Sequence, residues 1–445
     1  MPSSFPNATP ALAALLAAAV LAGCEREEPV PSVPPAQATV TVWAGTEVPT
    51  RGSMNGFLHS LSDTQPAEAL VAPLAPRLWR SDLAQASLDR ATRLGARYQL
   101  VLGNLWGYPR EGWRGRGPPW ADLGAWRRFV RSTARAHRGK PVMWDVWNEP
   151  DVKEFWVGGR KRFLRTYAVA ARVLRAELGE RVMIGGPSIS RYSPAYLRAF
   201  LESCRRERCP VSFLSWHENL QPDESIAAAA GRVVEARRRL LGDPRYARLG
   251  LREIQVNEYV GQEDRYLPGE AVAYLAALER GGADLAARSC WGEPDCSPAG
   301  LDGLIDPPTG KPRAIWWAHR WYAQGVAGRV RSEAGDASLA VLAHSNSGRV
   351  EVLVGNAPAR GPGAPAPRAI RMALALRDLG SVLGSNGRAR IVVERVPASG
   401  ERPLPRPERL RESSVTLDGG ALRLLLPPLR PHEALRVTLS RQSAA

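Results

Sequence analysis

The stretch Val142-Met-Trp-Asp-Val-Trp-Asn-Glu-Pro-Asp151 decides how the rest of the chain reads. Its apolar, aromatic and β-branched run has the length and composition of a buried strand. The run stops at Pro150, which has no amide hydrogen to give a ladder. Proline also disfavours α geometry in the residue before it, so Glu149 is expected to be extended. A carboxylic acid is thereby held at the carboxyl end of a buried strand, where α/β folds carry their functional groups.

A second such place lies downstream, in Arg252-Glu-Ile-Gln-Val-Asn-Glu-Tyr-Val260. Strict alternation puts Ile254, Val256 and Glu258 on one face. The apolar pair is then expected to fill the interior and Glu258 to cap it. Two strand-end carboxylates far apart in sequence suit glycoside hydrolysis, which needs one protonated acid and one ionised base or nucleophile.

Outward from these strands the texture repeats. Strand-like runs fall at Gly52–His59, Pro76–Trp79, Tyr98–Gly103, Val142–Trp147, Val182–Gly185, Phe213–His217, Glu253–Glu258 and Ala286–Trp291. Amphipathic segments lie between them: Leu83–Leu94, Leu123–Ala136, Phe163–Leu174, Ser193–Arg205, Ile226–Leu241 and Gly269–Gly281. Eight strand–helix alternations fit a (β/α)8 barrel, here over 41–325. A doubly wound sheet is the other candidate, but no Gly-rich phosphate loop accompanies the strands. From 326 to 445 short strands (Leu339–Ala343, Arg349–Val354, Ala369–Leu376, Arg390–Glu394, Ala421–Leu426, Ala434–Leu439) alternate with turn-rich pieces. That pattern predicts a β-sandwich.

Trp147-Asn148-Glu149-Pro150 resembles the acid/base motif of the clan of retaining glycosidases built on (β/α)8 barrels, and most closely glycoside hydrolase family 39, which carries a β-domain after its barrel. The resemblance implies Glu149 as general acid/base after strand four and Glu258 as nucleophile after strand seven. It implies Asn148 as a donor to the sugar 2-hydroxyl. His217, in Ser215-Trp-His-Glu-Asn219, matches a pocket-lining His that the family follows two residues later with Tyr; here Asn219 stands there, and Tyr259 is an expected substitute donor. Trp291 resembles the aromatic platform under the reacting sugar.

Other strand ends offer weaker candidates. Arg80 is placed to bind a substrate carboxylate or to orient Glu258; His59, Asn104 and Trp106 follow strands one and three. Trp106, Tyr108, Trp113 and Trp120 suggest an aromatic wall, in a long loop from Leu105 to Pro119. Glu253 is a rival nucleophile that opens its strand and belongs at the other end of the barrel. Glu218 is expected at the surface.

The N-terminus reads as an export signal. Ala11–Ala22 is apolar and short for a bilayer span, and Leu21-Ala-Gly-Cys24 resembles a bacterial lipobox. Residues 1–24 are then a lipoprotein signal with Cys24 as the lipidation site, and 25–40 a Pro-rich tether. The protein is expected to face the periplasm or cell exterior. The remaining cysteines, Cys204, Cys209, Cys290 and Cys296, are an even set for an exported protein. Near pairings 204–209 and 290–296 are simplest among three connectivities. Their spacing matches no zinc pattern, so no metal is expected, and no cofactor.

The formal net charge is +16, mostly from Arg scattered over helical segments. It fits solvated helix faces, or attraction to an anionic polymer such as a uronic-acid polysaccharide or a lipid headgroup surface. The basic residues are not interleaved with aromatics, and no nucleic-acid motif accompanies them. The composite expectation is an anchored retaining glycosidase acting on a glycoside or polysaccharide. A non-catalytic polysaccharide-binding lipoprotein and an envelope transglycosylase are the alternatives.

Overall fold

The computed structural model describes residues 35–82, 87–104, 113, 116–219, 224–384, 387–417 and 419–442. Cys24, Trp106 and Tyr108 lie outside the described residues, as do residues 25–34 of the expected tether.

Nineteen strands among the described residues are numbered in chain order. β1 is Ala38–Glu47. β2 to β9 are Gly56–Leu58, Leu78–Asp82, Arg97–Val101, Val142–Asp145, Met183–Ile189, Phe213–Glu218, Glu253–Tyr259 and Leu285–Arg288. These eight form one parallel sheet in sequence order, and each coincides with an expected strand. Helices Leu123–Ala136, Gly159–Leu178, Pro194–Glu207, Ala228–Ala236 and Pro268–Gly281 cover its outside.

The sheet curls until its first and last strands meet. At that seam a Cβ on Gly56 would lie 2.1 Å from the Ala286 carbonyl oxygen, so only glycine lets β2 approach β9. The interior follows the alternation of a barrel. Leu78, Met143, Phe213 and Leu285, one from every second strand, form an apolar layer. Above it the interior is polar: Gln99 Nε2 donates to Gln255 Oε1 at 2.9 Å, and Asn257 Nδ2 to Gln99 Oε1 at 3.2 Å. Ile254 and Val256 therefore do not fill the interior as expected. They pack with the helices in the main core, while Gln255 and Asn257 point inward.

β10 (Ile305–Asp306) and β11 (Lys311–Pro312) form a small hairpin. β12 to β19 are Arg329–Ala334, Leu339–Asn346, Arg349–Asn356, Met372–Arg377, Arg388–Val396, Glu408–Thr416, Leu422–Leu425 and Ala434–Arg441. They form, with β1, a nine-stranded sheet in the order β17-β16-β19-β14-β13-β12-β1-β15-β18. It wraps a single apolar core to which both its halves contribute, among them Val40, Val341, Val352, Leu374, Ile391 and Val437. This is the expected sandwich, with three strands beyond the six expected. One of them, β1, corrects the reading of the N-terminal region: residues 38–40 are not tether, and the chain from 41 does not open the barrel. β1 lies between β12 and β15, with Val40, Val42 and Ala44 in the sandwich core.

Sandwich and barrel share a packed seam. Ala340, Leu342 and Leu353 join the core formed by Val272, Leu275 and Ala276 of helix Pro268–Gly281. A Cβ on Gly355 would come within 2.5 Å of the Gly269 carbonyl oxygen, so strand and helix touch backbone to backbone. Among the described residues no helix is long and apolar enough to cross a membrane.

Cys290 and Cys296 are bonded, as expected. Cys204 and Cys209 are instead buried thiols. Cys204 lies in the last turn of helix Pro194–Glu207, and the Cys209 amide donates to its carbonyl at 3.0 Å. That backbone bond closes the helix end without a sulfur link.

Candidate active site

The carboxyl ends of β5, β7 and β8 bring three side chains together. Carboxylate oxygens of Glu149 and Glu258 and a ring nitrogen of His217 all lie within 4.8 Å of one another. Residues 68 and 41 apart along the chain thus converge over one end of the barrel.

Glu149 is not extended, contrary to the reading from Pro150. Its φ is +44°, in the left-handed region. Its amide donates to the Ser188 carbonyl at 2.9 Å, and Ser188 is itself left-handed at φ +52°. The neighbouring strand end overrides the local preference. Non-glycine residues are held this way only where surroundings over-determine them, and such positions concentrate at functional sites.

Glu258 reaches the site through a β-bulge. Trp216 of β7 pairs with Val256, but the next residue, His217, pairs with Glu258. Asn257 is the extra residue. Without the bulge, Glu258 would follow Ile254 and Val256 outward into the helix layer.

Below the pair lies a buried ionic platform. Arg80 and Asp145 are both fully buried. Arg80 Nη1 donates to Glu258 Oε1 at 2.7 Å, and Nη2 donates to Asp145 Oδ2 at 2.8 Å and to Asn148 Oδ1 at 2.9 Å. Ser188 Oγ at 2.7 Å and Asn257 Nδ2 at 3.2 Å complete the surroundings of Asp145 Oδ2. Arg80 is thus committed to Glu258 rather than to a substrate carboxylate. Its fork also fixes the Asn148 amide in orientation.

The second oxygen of Glu258 has its own donor. Asn219 Nδ2 lies 3.3 Å from Oε2, and Ser289 Oγ donates to Asn219 Oδ1. Tyr259 does not take this role: it is fully buried, points into the helix layer and donates to the Met54 carbonyl at 3.4 Å. The bulge that brings Glu258 inward turns its neighbour away.

The two glutamates differ in environment. Burial, with help from the Asp151 charge and against the pull of Arg80, raises the Glu149 pKa to about 7. Glu258 has a guanidinium in direct contact. Burial lowers the His217 pKa to about 4, so its ring is neutral at physiological pH. His217 Nδ1 lies 2.8 Å from Glu149 Oε1. One proton serves that contact: on Nδ1 when Glu149 is ionised, on the carboxyl when it is not.

The remaining expected residues are distributed unevenly. Trp291 is half-buried just past β9, with Nε1 donating to the Val260 carbonyl at 3.0 Å. His59 is buried beside Arg80, at φ +29°, and its pKa is lowered to about 3, by burial first and Arg80 second. Asn104 is buried directly after β4, at φ +147°. Trp113 is core, edge-on to Trp126 and Phe129, not cleft wall. Trp120 stacks on Arg162, whose guanidinium carbon is 3.7 Å from the ring centre. Glu218 is buried, not exposed: Arg232 Nη1 at 2.6 Å and Trp216 Nε1 at 2.7 Å hold it. Glu253 sits at the other end of β8, paired with Arg97 at 2.9 Å.

Asp145, Ser188, Asn257 and Ser289 were not singled out from sequence. Asp145 carried a signal, being an acid two residues beyond Met143 on the inward face of an otherwise apolar strand.

Known proteins resemble this chain in one segment and in the fold. Residues 122–236 match the model of "Glycosyl hydrolases family 39", a segment that contains Glu149 and His217 but stops before Glu258. A β-xylosidase of Geobacillus stearothermophilus is 28% identical over 113 residues, 24% of this chain and 22% of that protein. The chain matches about a fifth of the length of the curated relatives. Among solved structures, N2152 from Neocallimastix frontalis superposes with a TM-score of 0.72 at 20% identity, over 91% of this chain and 100% of that one. The GH39 enzyme from Xanthomonas axonopodis pv. citri gives 0.63 at 17% identity, over 91% and 97%. The fold is shared with both.

Proposed function

We propose that this chain, glycoside hydrolase family 39-like in its 122–236 segment and in its fold, is a retaining glycosidase that works by double displacement on Glu149 and Glu258. The observation that carries the reading is the pair itself. Their carboxylate oxygens lie within 4.8 Å of each other. Retaining enzymes hold the two carboxyl groups about 5–5.5 Å apart, whereas inverting enzymes leave roughly 6.5–9.5 Å for a water.

The surroundings of the two glutamates support each step of this reading. Glu258, held by Arg80 and Asn219, attacks the anomeric carbon as the glycosidic bond breaks. Glu149, protonated through its raised pKa, passes its proton to the departing oxygen. Water enters, Glu149 takes its proton as base, and the ester to Glu258 is broken. In this reading Asn148, whose amide is oriented by Arg80, hydrogen-bonds the sugar 2-hydroxyl, and Trp291 stacks beneath the ring.

The β-xylosidase relatives make a β-linked pentoside or hexoside the first substrate class to examine. Export and anchoring through Cys24 remain part of the proposal, supported by the lipobox-like Leu21-Ala-Gly-Cys24. The test is a panel of aryl β-glycosides and bacterial exopolysaccharides, using protein that starts after Cys24. Hydrolysis by the parent chain with loss in Glu149→Gln and Glu258→Gln supports the reading. Polysaccharide binding without turnover, equal in all three proteins, overturns it in favour of a binding lipoprotein.

A further inference from the structure

The sandwich grips the barrel at a point that connects to the catalytic pair. The loop leaving β8 runs Val260-Gly-Gln-Glu-Asp-Arg-Tyr-Leu267 and enters helix Pro268–Gly281. It begins two residues after Glu258. Val260 lies at φ +92°, a conformation a β-branched residue keeps only under constraint, and its carbonyl accepts the Trp291 indole. Any shift of this backbone therefore moves Trp291 and Glu258 together.

The constraint traces back to the sandwich. The Gly261 amide donates to Tyr274 Oη at 3.3 Å, and Tyr274 Oη donates to Asp264 Oδ2 at 3.0 Å. Asp264 is 2% exposed, and Arg360 closes over it: Nη1 is 3.0 Å from Oδ2, and Nη2 meets Oδ1. Arg360 belongs to the connection after β14. Its Nη2 is also 3.6 Å from Oε1 of Glu270, which is wholly buried. Glu270 Oε1 in turn meets His432 Nδ1 at 2.6 Å, just before β19. Two sandwich side chains thus compensate two buried carboxylates of the barrel. Removing one partner of such a buried set leaves a charge without solvent or counter-ion, so the loop is tied where Arg360 stands.

We propose that Arg360 is a positioning residue of the active site. Acting through Asp264 and Tyr274, it holds the Val260–Gly261 backbone and so sets Glu258 and Trp291 relative to the bound sugar. This rests on the reading of Glu258 as nucleophile, and it gives the sandwich a part in catalysis.

The test uses the full chain and reads local order separately from turnover. In Tyr274→Phe and Arg360→Ala, amide hydrogen exchange over residues 259–267 is expected to speed up by about tenfold or more, with β4 unchanged. With an aryl glycoside, kcat is expected to fall by about tenfold in Arg360→Ala, more than KM changes, and to be largely restored in Arg360→Lys. Exchange in 259–267 equal to that of the parent chain, or accelerated equally throughout the barrel, overturns the proposal. Should Arg360→Ala not fold, Tyr274→Phe, which loses one hydroxyl, decides by the same exchange criterion. If the parent chain hydrolyses no glycoside, the exchange result still decides the coupling, and only the glycosidase reading falls.

Discussion

Glu149 and Glu258 carry the same side chain, and their surroundings differ in the way the proposed acid and nucleophile require. Glu258 meets a guanidinium and an amide donor, whereas Glu149 meets a neutral imidazole and the repulsion of Asp151. Under the proposed double displacement Glu149 acts in its protonated form, so kcat/KM is expected to fall as pH rises through about 7, a limb to be read from steady-state pH profiles of the parent chain. Glu149→Gln should lose that limb and roughly 10²–10⁴ in rate on substrates with poor leaving groups. The same shift predicts a stability change. A carboxyl whose folded pKa is raised from 4.5 to about 7 contributes stability below the lower value and loses it as pH rises through the upper. Glu149→Gln should therefore gain on the parent chain between those two pH values, by up to roughly 3 kcal/mol, measured by urea unfolding at pH 4.5 and 8. Both glutamates were legible because each sits at the end of an apolar strand, one before a proline. Their local geometry was not. The +44° φ of Glu149 comes from the Ser188 carbonyl of the next strand, and a single-residue bulge at Asn257 leaves no mark on a period-two pattern. That bulge is also why Tyr259 turned out to be core and Asn219 to be the donor.

At the scale of elements, the eight barrel strands were readable since each is a short apolar run between amphipathic helices, and both periodicities survive in sequence. What closes the ring was not readable. Gly56 looks like any strand glycine until β9 is brought against it. Gly56→Ala would force a methyl group to within 2.1 Å of the Ala286 carbonyl oxygen, a backbone atom that cannot swing aside. The expected result is a loss of about 1–3 kcal/mol or more, or failure to accumulate folded protein, seen in thermal unfolding. β1 was missed for a different reason. Its inward residues Val40, Val42 and Ala44 follow a Pro-rich run, and nothing local says that their partners lie some 290 and 330 residues away. The thiols of Cys204 and Cys209 show the same limit: even count and close spacing suggested a bridge, while the helix end they occupy is closed by the backbone.

Residues 36–445 form one compact unit in which the sandwich begins before the barrel and ends after it. β1 fills the place between β12 and β15, so deleting residues 36–47 opens two strand edges and part of the sandwich core. Such a deletion is expected to lower the thermal midpoint and to promote aggregation, measured by scattering on heating. If Arg360 ties the loop after β8, this deletion should also reduce turnover without touching any residue of the pocket. The central claim concerns the full assembly of barrel ends: two glutamates acting on opposite sides of one anomeric carbon. Proton NMR of the first sugar released from a β-glycoside, recorded before mutarotation, tests it most directly. Double displacement gives the β-anomer as first product; first appearance of the α-anomer would rule it out.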